Sequence, residues 1–431
     1  MPPPLETLPP GFPPLEVKVC QASRREPGCM ILSLGRGTRA VQQSSDFEAL
    51  VAIDREGRPV WCWQTASSVM DVKRTPRDTL LVVTTDGCIQ EIDAGGATLR
   101  KWSTPGASPS LAGNEIPVDT LYFHHAVREL PNGNLAALSI SAREFDDYPL
   151  SLKDPEAGRG KRKLVADVLV EFTPEGDVVH VHDFFDILDS RRNAYGLDAP
   201  FWTICGVVPG GADLTHANGL VHDPADDSFI VTVRHQDCLI KIDRATGALK
   251  WILGAPEGWT GDWADKVLEP VGETSWHWHS HDPSIMADGS VLLFDNGESG
   301  AIPPAPPIGL DDCVSRAIAY RVDEAAGTVE QVWSFGGPEH GTPYAMYISG
   351  AYELPATGNV FVTFGGIILG PEGERVHLPP AGHGSAEVYE VTRADDPEIL
   401  FHAAIDNRHT DEEVGWGVFR AEWVPDGFFG G

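Results

Sequence analysis

Residues 216–259 read HANGLVHDPADDSFIVTVRHQDCLIKIDRATGALKWILGAPEGW. Apolar and polar residues alternate within short runs, and turn-forming Pro, Asp, Thr and Gly separate the runs. Period-2 patterning between turns predicts β-strands, here four in succession and antiparallel. The first half of the pattern recurs as HAVRELPNGN from His125 and HDPSIMADGS from His281. It recurs again as SGAYELPATGN, with Ser349 at the equivalent point, and as MDVKRTPRDT, with Met70 there. The second half returns as ALVAIDREGRPVWCW (49–63), CIQEIDAGGATLRKW (88–102), VLVEFTPEGDVVHVH (168–182) and IAYRVDEAAGTVEQVW (318–333). A looser copy, AEVYEVTRADDPEILFH, covers 386–402.

Four short strands repeated about every 40–65 residues mark the blade of a β-propeller. The fold expected is all-β, a six-bladed propeller with units beginning near residues 30, 67, 120, 214, 280 and 347. The first unit lacks a leading half. The strand-like GVFRAEWVP at 417–425 is placed to complete it and close the ring, which removes two open edges. On this reading residues 1–29 form a Pro-rich arm, 30–425 the propeller and 426–431 a tail. Insertions at 141–163, 183–213, 255–279, 297–315 and 366–383 are expected to gather on one face and rim a site, with a helical turn near FDILDSRR.

The 431 residues carry 32 basic and 63 acidic side chains, a net charge of −31. Such acidity argues against a nucleic-acid partner, because the short GRGKRK run at 158–163 reads as a solvated loop. No apolar run approaches the 18 residues a membrane span needs. The opening MPPPLETLPPGFPPLEV has neither a basic nor an apolar leader region, which predicts a cytoplasmic protein, or a periplasmic one if a leader has been removed. Seven scattered cysteines read as free thiols, with Cys20 and Cys29 the one local pair to test as a bridge.

Residues that lead an innermost blade strand sit at the mouth of the central channel, so Met70, His125, His216, His281 and Ser349 are expected to converge there. One histidine is most simply a hydrogen-bonded structural residue, whereas three at one repeat position argue for a site. Asn218 lies two residues beyond His216 on the same strand side. Arg234, at the end of the next strand, offers a planar, permanently charged fork for an anion. His124 is expected to point the opposite way from His125 and to be structural; His235 and Gln236 are weaker candidates. His277, His279 and His281 alternate in SWHWHSHD, and on an extended strand they would share one face, as in a metal site. No fourth ligand stands at a fixed spacing, so no metal is assigned; a metal-dependent hydrolase or lyase is the rival reading. The glycines of FGGIILG (364–370) lack the strand–loop–helix context of a nucleotide site.

The stretches 216–259, SHDPSIMADGSVLLFDNG (280–297) and HHAVRELPNGN (124–134) resemble the bacterial aryl-sulfate sulfotransferases, and the likeness runs over residues 40–425. The resemblance implies a six-bladed propeller that uses no nucleotide sulfate donor and no cofactor. It implies that an aryl sulfate gives its sulfuryl group to a phenolic acceptor in two ping-pong steps. His281 matches the histidine that becomes sulfated, and His125, His216, Asn218 and Arg234 match the residues that hold the sulfate. Ser349 stands where the family tends to have threonine. His279 and Trp278 are further substrate-contact candidates, and Trp276, Phe201 and Trp202 could stack on the aryl ring. Family members often carry a leader and an N-terminal β-domain that takes part in dimerisation. Here some thirty Pro-rich residues precede the first unit, and a homodimer is compatible with the likeness.

Overall fold

The computed structural model describes residues 3–36, 47–106, 113–152, 154–376, 382–410 and 415–430. Outside them fall parts of the expected arm (1–2), first unit (37–46), second unit (107–112), two insertions (153 and 377–381), sixth unit (411–414) and tail (431). Among the described residues the strands form six antiparallel-cored sheets of four or five strands. We name each sheet by the residue at the head of its inner strand. The inner strands are Val69–Arg74 (Met70 sheet), His124–Glu129 (His125), Ala217–Asp223 (His216), His281–Ile285 (His281) and Gly350–Glu353 (Ser349). The sixth inner strand, Trp416–Val424, comes from the C-terminal end and pairs with Cys29–Arg36, so the closing sheet joins both ends of the chain. These six strands touch one another in cyclic order around an axis, which makes the architecture a β-propeller.

Alternation in the sequence explains the packing. In the His216 sheet, Ile230, Leu239, Trp251 and Leu253 face Leu293, Ile318 and Tyr320 of the His281 sheet in one buried cluster. Leu220, Phe229, Val231, Ile240 and Ile252 face the His125 sheet on the other side. Each such aliphatic or aromatic side chain contributes about 1.5–3 kcal/mol when fully buried. The His216 sheet is therefore bound to its neighbours through both faces.

Several expectations need correction. Residues 141–163 are not an irregular insertion: Leu135–Pro149 and Arg159–Phe172 run on as one long hairpin. GRGKRK lies on this hairpin rather than in a loop, with Lys161 paired to Glu144, Arg159 to Asp147 and Arg162 to Asp198. The Pro-rich arm contains Leu15–Cys20, which adds to Ile399–Ile405 as an outer strand of the Ser349 sheet. The helical turn expected near FDILDSRR is present at Phe184–Ile187, started by the Asp183 carboxylate accepting from the Phe185 amide. All seven cysteines are free thiols, so Cys20 and Cys29 form no bridge. No helix among the described residues is long and apolar enough to cross a membrane.

Candidate active site

Four inner strands carry a β-bulge where they begin, between Val69 and Asp71, His124 and Val127, Ala217 and Gly219, and His281 and Ser284. A bulge bends the strand and re-aims its side chains. Here it coincides with left-handed backbone at His125 (φ 52°), His216 (φ 47°) and Asp282 (φ 47°). Residues without a glycine's freedom adopt this conformation at a cost of about 1–3 kcal/mol and persist in it where the surroundings over-determine them. Gly219 allows the close approach this needs: a Cβ there would lie 2.4 Å from Pro283 Cδ and 2.7 Å from Asp282 Cα. The His216 and His281 strands thus meet at the axis.

The rings of His125 and His216 lie 4.9 Å apart, edge to face. His235 stacks on His216 at 4.6 Å, and His279 follows at 5.9 Å from His235. Arg234 begins a short 3-10 turn after Ser228–Val233, and its Nη1 donates to His235 Nε2 at 2.7 Å. His281 shares the same buried field. Burial lowers its proton affinity first, and then the charges of Arg420 and Arg234 do. Burial, His216, His124, Arg420 and His281 lower that of His125; burial and Arg234 lower that of His216. All three rings are held neutral.

Each of these rings is oriented through the same nitrogen. His281 Nδ1 meets Asn296 Oδ1 at 2.6 Å, and the Asn296 amide nitrogen donates to Ala345 O at 2.7 Å and Ile348 O at 3.2 Å. Asn296 must therefore accept from His281, which leaves Nε2 as the lone-pair nitrogen. A long contact of 3.2 Å from the Ile348 amide reaches it. His216 Nδ1 is held by Asp213 Oδ2 at 2.6 Å. His124 Nε2 donates to Ser139 O at 2.9 Å, so its Nδ1 accepts from His125 Nδ1 at 2.8 Å. His124 is a support for His125 rather than a residue facing away from it.

Other candidates are placed differently. Asn218 is buried with its Oδ1 accepting from Thr232 at 2.6 Å and its amide donating to Ser280 O at 2.9 Å, so one amide hydrogen remains. Ser349 Oγ accepts from the Gly365 amide at 2.9 Å and lies 3.4 Å from Tyr347 O, inside the protein. His277, His279 and His281 do not share a face. His277, its proton affinity pushed down to about 4 by burial, bonds Leu253 O, while His279 Nδ1 bonds Asp237. The segment is not an extended strand, and His279 is left-handed (φ 51°), which breaks the alternation. Trp276 packs between the His216 and His281 sheets, away from the axis. Phe201 stands edge-on to His216 at 4.8 Å and 5.7 Å from His125; Trp202 is buried against His124 at 5.0 Å.

Beside the histidines opens a cavity of about 1070 Å³ lined by Arg234, His235, His279, Glu298, Tyr347, Pro303, Pro304, Pro306 and Pro307, among others. Trp278 is not part of its lining. Asp213, His216 and His235 bring potential ligand atoms within 4.8 Å of one another. Their geometry does not suit a metal: the two rings stack at 24°, so their in-plane lone pairs run side by side, and a guanidinium bonds one of them.

Four residues escaped the sequence reading. Asn296 was legible in principle, because aligning SVLLFDN with SFIVTVR puts it at the repeat position of Arg234. Asp213 and Glu298 sit in insertions with no repeat to flag them. Arg420, fully buried on the closing strand, donates to Ser349 O at 2.8 Å, Phe419 O at 2.9 Å and Asn218 O at 2.6 Å. Its Nε lies 3.4 Å from Asp282, so it staples three inner strands beneath the histidines.

Fold and site together define a β-propeller with a buried cluster of histidines at the heads of its inner strands, beside a cavity that His235, His279, Arg234 and Glu298 line. The arylsulfotransferase (ASST) profile matches residues 17–415, and the chain belongs to that family. It is 31% identical over 247 residues to an arylsulfate sulfotransferase of Escherichia coli O6:H1, covering 47% of this chain and 40% of that one. It is 26% identical over 249 residues to the arylsulfate sulfotransferase of Lelliottia amnigena, with the same coverage. The match thus spans about two-fifths of these relatives' length. A Bacteroides caccae protein of unknown function superposes with a TM-score of 0.47 and 8% identity over 92% of this chain and 99% of that one.

Proposed function

We propose that this protein moves a sulfuryl group from an aryl sulfate ester to a phenolic acceptor through a sulfohistidine at His281. What supports the reading, beside the family, is one observation: rings from three sheets share a buried site, each held by Nδ1, next to a guanidinium and an open cavity.

In the first half-reaction the neutral Nε2 of His281 attacks sulfur, an N–S bond forms and the S–O bond to the aryl group breaks. Arg234, the remaining Asn218 amide hydrogen and the Ile348 amide, released as Nε2 turns to sulfur, are the donors for sulfate oxygens. A single donor of this kind is worth about 10²–10³ in rate. The arriving anion raises the proton affinity of His125 and His216; one of these rings takes a proton from solvent as the ester binds and passes it to the leaving phenolate. A phenol with pKa about 10 is a workable leaving group. In the second half-reaction the acceptor phenol gives its proton to the same ring, its oxygen attacks sulfur and His281 is freed. Phe201 supplies an aromatic edge beside both rings. Ser349 supports the site through its backbone, with its carbonyl on Arg420.

Brief mixing with 4-nitrophenyl sulfate, without acceptor, followed by intact mass spectrometry tests the reading. Release of nitrophenol with one sulfuryl group mapped to His281 is expected, and His281→Asn should give neither while keeping the wild-type unfolding temperature. Turnover that leaves no modified histidine at any time point would overturn the covalent route.

A further inference from the structure

The guanidinium assigned to the sulfate is already occupied. Arg234 Nη2 donates to Glu298 Oε2 at 2.6 Å, and both side chains line the cavity at 13% and 23% exposure. Glu298 is presented by a rigid turn. Gly297, Ser299 and Gly300 around it are all left-handed (φ 71°, 70° and 55°). A Cβ on Gly297 would lie 1.9 Å from Val314 O, so no side chain fits there. The Gly297 amide is tied to Trp278 O at 3.0 Å and Asp295 Oδ1 at 2.9 Å, and the Ile308 amide closes the turn on Ser299 O at 2.8 Å. The carboxylate is therefore fixed beside the anion's approach.

The charged side chains lining the cavity are Arg234, Glu298 and Asp198, the last paired with Arg162 at 2.7 Å. His125, His216, His235 and His281 are held neutral by burial. Arg420 faces Asp282 and three backbone carbonyls. Arg234 is then the permanent cation facing an incoming tetrahedral anion, and Glu298 shares it. An aryl sulfate brings one negative charge; an aryl phosphate of nearly the same shape brings close to two at neutral pH. An added unit charge about 5 Å from a carboxylate, at an effective dielectric near 20, weakens binding on the order of 10²-fold.

We propose that Glu298 is a specificity-determining residue, a charge filter that admits monoanionic sulfate esters to Arg234 and rejects dianionic phosphate esters. This rests on the sulfate-ester reading above. Discrimination between near-isosteric ligands commonly relies on such a repulsive element rather than on tighter contacts to the right one.

The test compares benzenesulfonate, a monoanion, with phenylphosphonate, a dianion in mildly alkaline buffer, by calorimetric binding to wild type and to Glu298→Gln. The glutamine keeps size and polarity, and Glu298→Ala with a thermal-unfolding check controls for a loss of fold. The phosphonate-to-sulfonate affinity ratio should rise about 10- to 100-fold in both variants. An unchanged ratio, or equal weakening of both ligands, would mean that Glu298 only props Arg234 and would overturn the proposal. Binding is read without turnover. An enzyme that fails to use aryl sulfates would therefore sink the functional reading, whereas one that uses them but shows no ratio change sinks only the filter.

Discussion

A neutral imidazole offers one donor and one acceptor nitrogen, and the partner of the first decides what the second can do. In this site Asn296, Asp213 and His124 take the Nδ1 protons of His281, His216 and His125. Asn296 has the most exposed consequence, because His281 is the proposed nucleophile. Replacing it by leucine removes the acceptor and frees both the ring and its tautomer. A fall in kcat of about 10- to 100-fold with little change in KM is expected, since ground-state binding does not use this bond. Single-turnover sulfuryl transfer should slow by the same factor. Asn296→Asp, which keeps an acceptor, should recover part of the rate; a variant altered in KM alone would speak against a positioning role.

At the scale of the strand, the inner-strand bulge is the device that turns repeat position into site position. It requires two inner strands to approach more closely than side chains allow, and Gly219 is where they do so. Gly219→Ala should push the Pro283 and Asp282 backbone away, with overpacking costs of about 1–3 kcal/mol and a lower unfolding temperature by differential scanning calorimetry. Separation of His216 from His281 should also lower kcat/KM. Wild-type stability together with wild-type activity would show that the strands can part without loss. His277, His279 and His281 diverge for a separate reason: alternation holds only in extended chain, and the segment before the strand is left-handed at His279.

For the whole molecule, closure and acidity combine. Buried His124, His125, His216, His235, His277 and His281 all have lowered proton affinities, to about 3 for His124 and about 4 for His277. Unfolded histidines protonate near pH 6.5. Below that value the unfolded chain binds protons that the folded chain refuses. The stability these rings contribute is thus present above about pH 6.5 and is lost as pH falls, by up to about 1.4 kcal/mol per ring per pH unit. Asp167, Asp213, Asp295 and Glu422, with raised affinities, act in the opposite sense: their contribution is present at low pH and is lost as pH rises through their folded values. Six such rings stand against four such carboxyls, so the unfolding midpoint should drop as pH falls from about 6.5 to 5.5. A midpoint that rises on acidification would contradict this balance.

The repeats themselves determined the strand order, the sheet-by-sheet recurrence, the closing strand and the convergence of His125 and His216, because alternation and turn chemistry are local and are written residue by residue. Only the tertiary structure decided which nitrogen of each ring is free, that Arg420 lies beneath them and that Glu298 holds Arg234. The Arg234–Glu298 pair spans 64 positions and the Arg420–Asn218 bond 202, while the partners of the three rings stand 15, 3 and 1 positions away, and these contacts depend on how bulges and insertions come to rest against the ring. No periodicity encodes that packing, which is also why the three clustered histidines of 277–281 looked like one group and proved to be three.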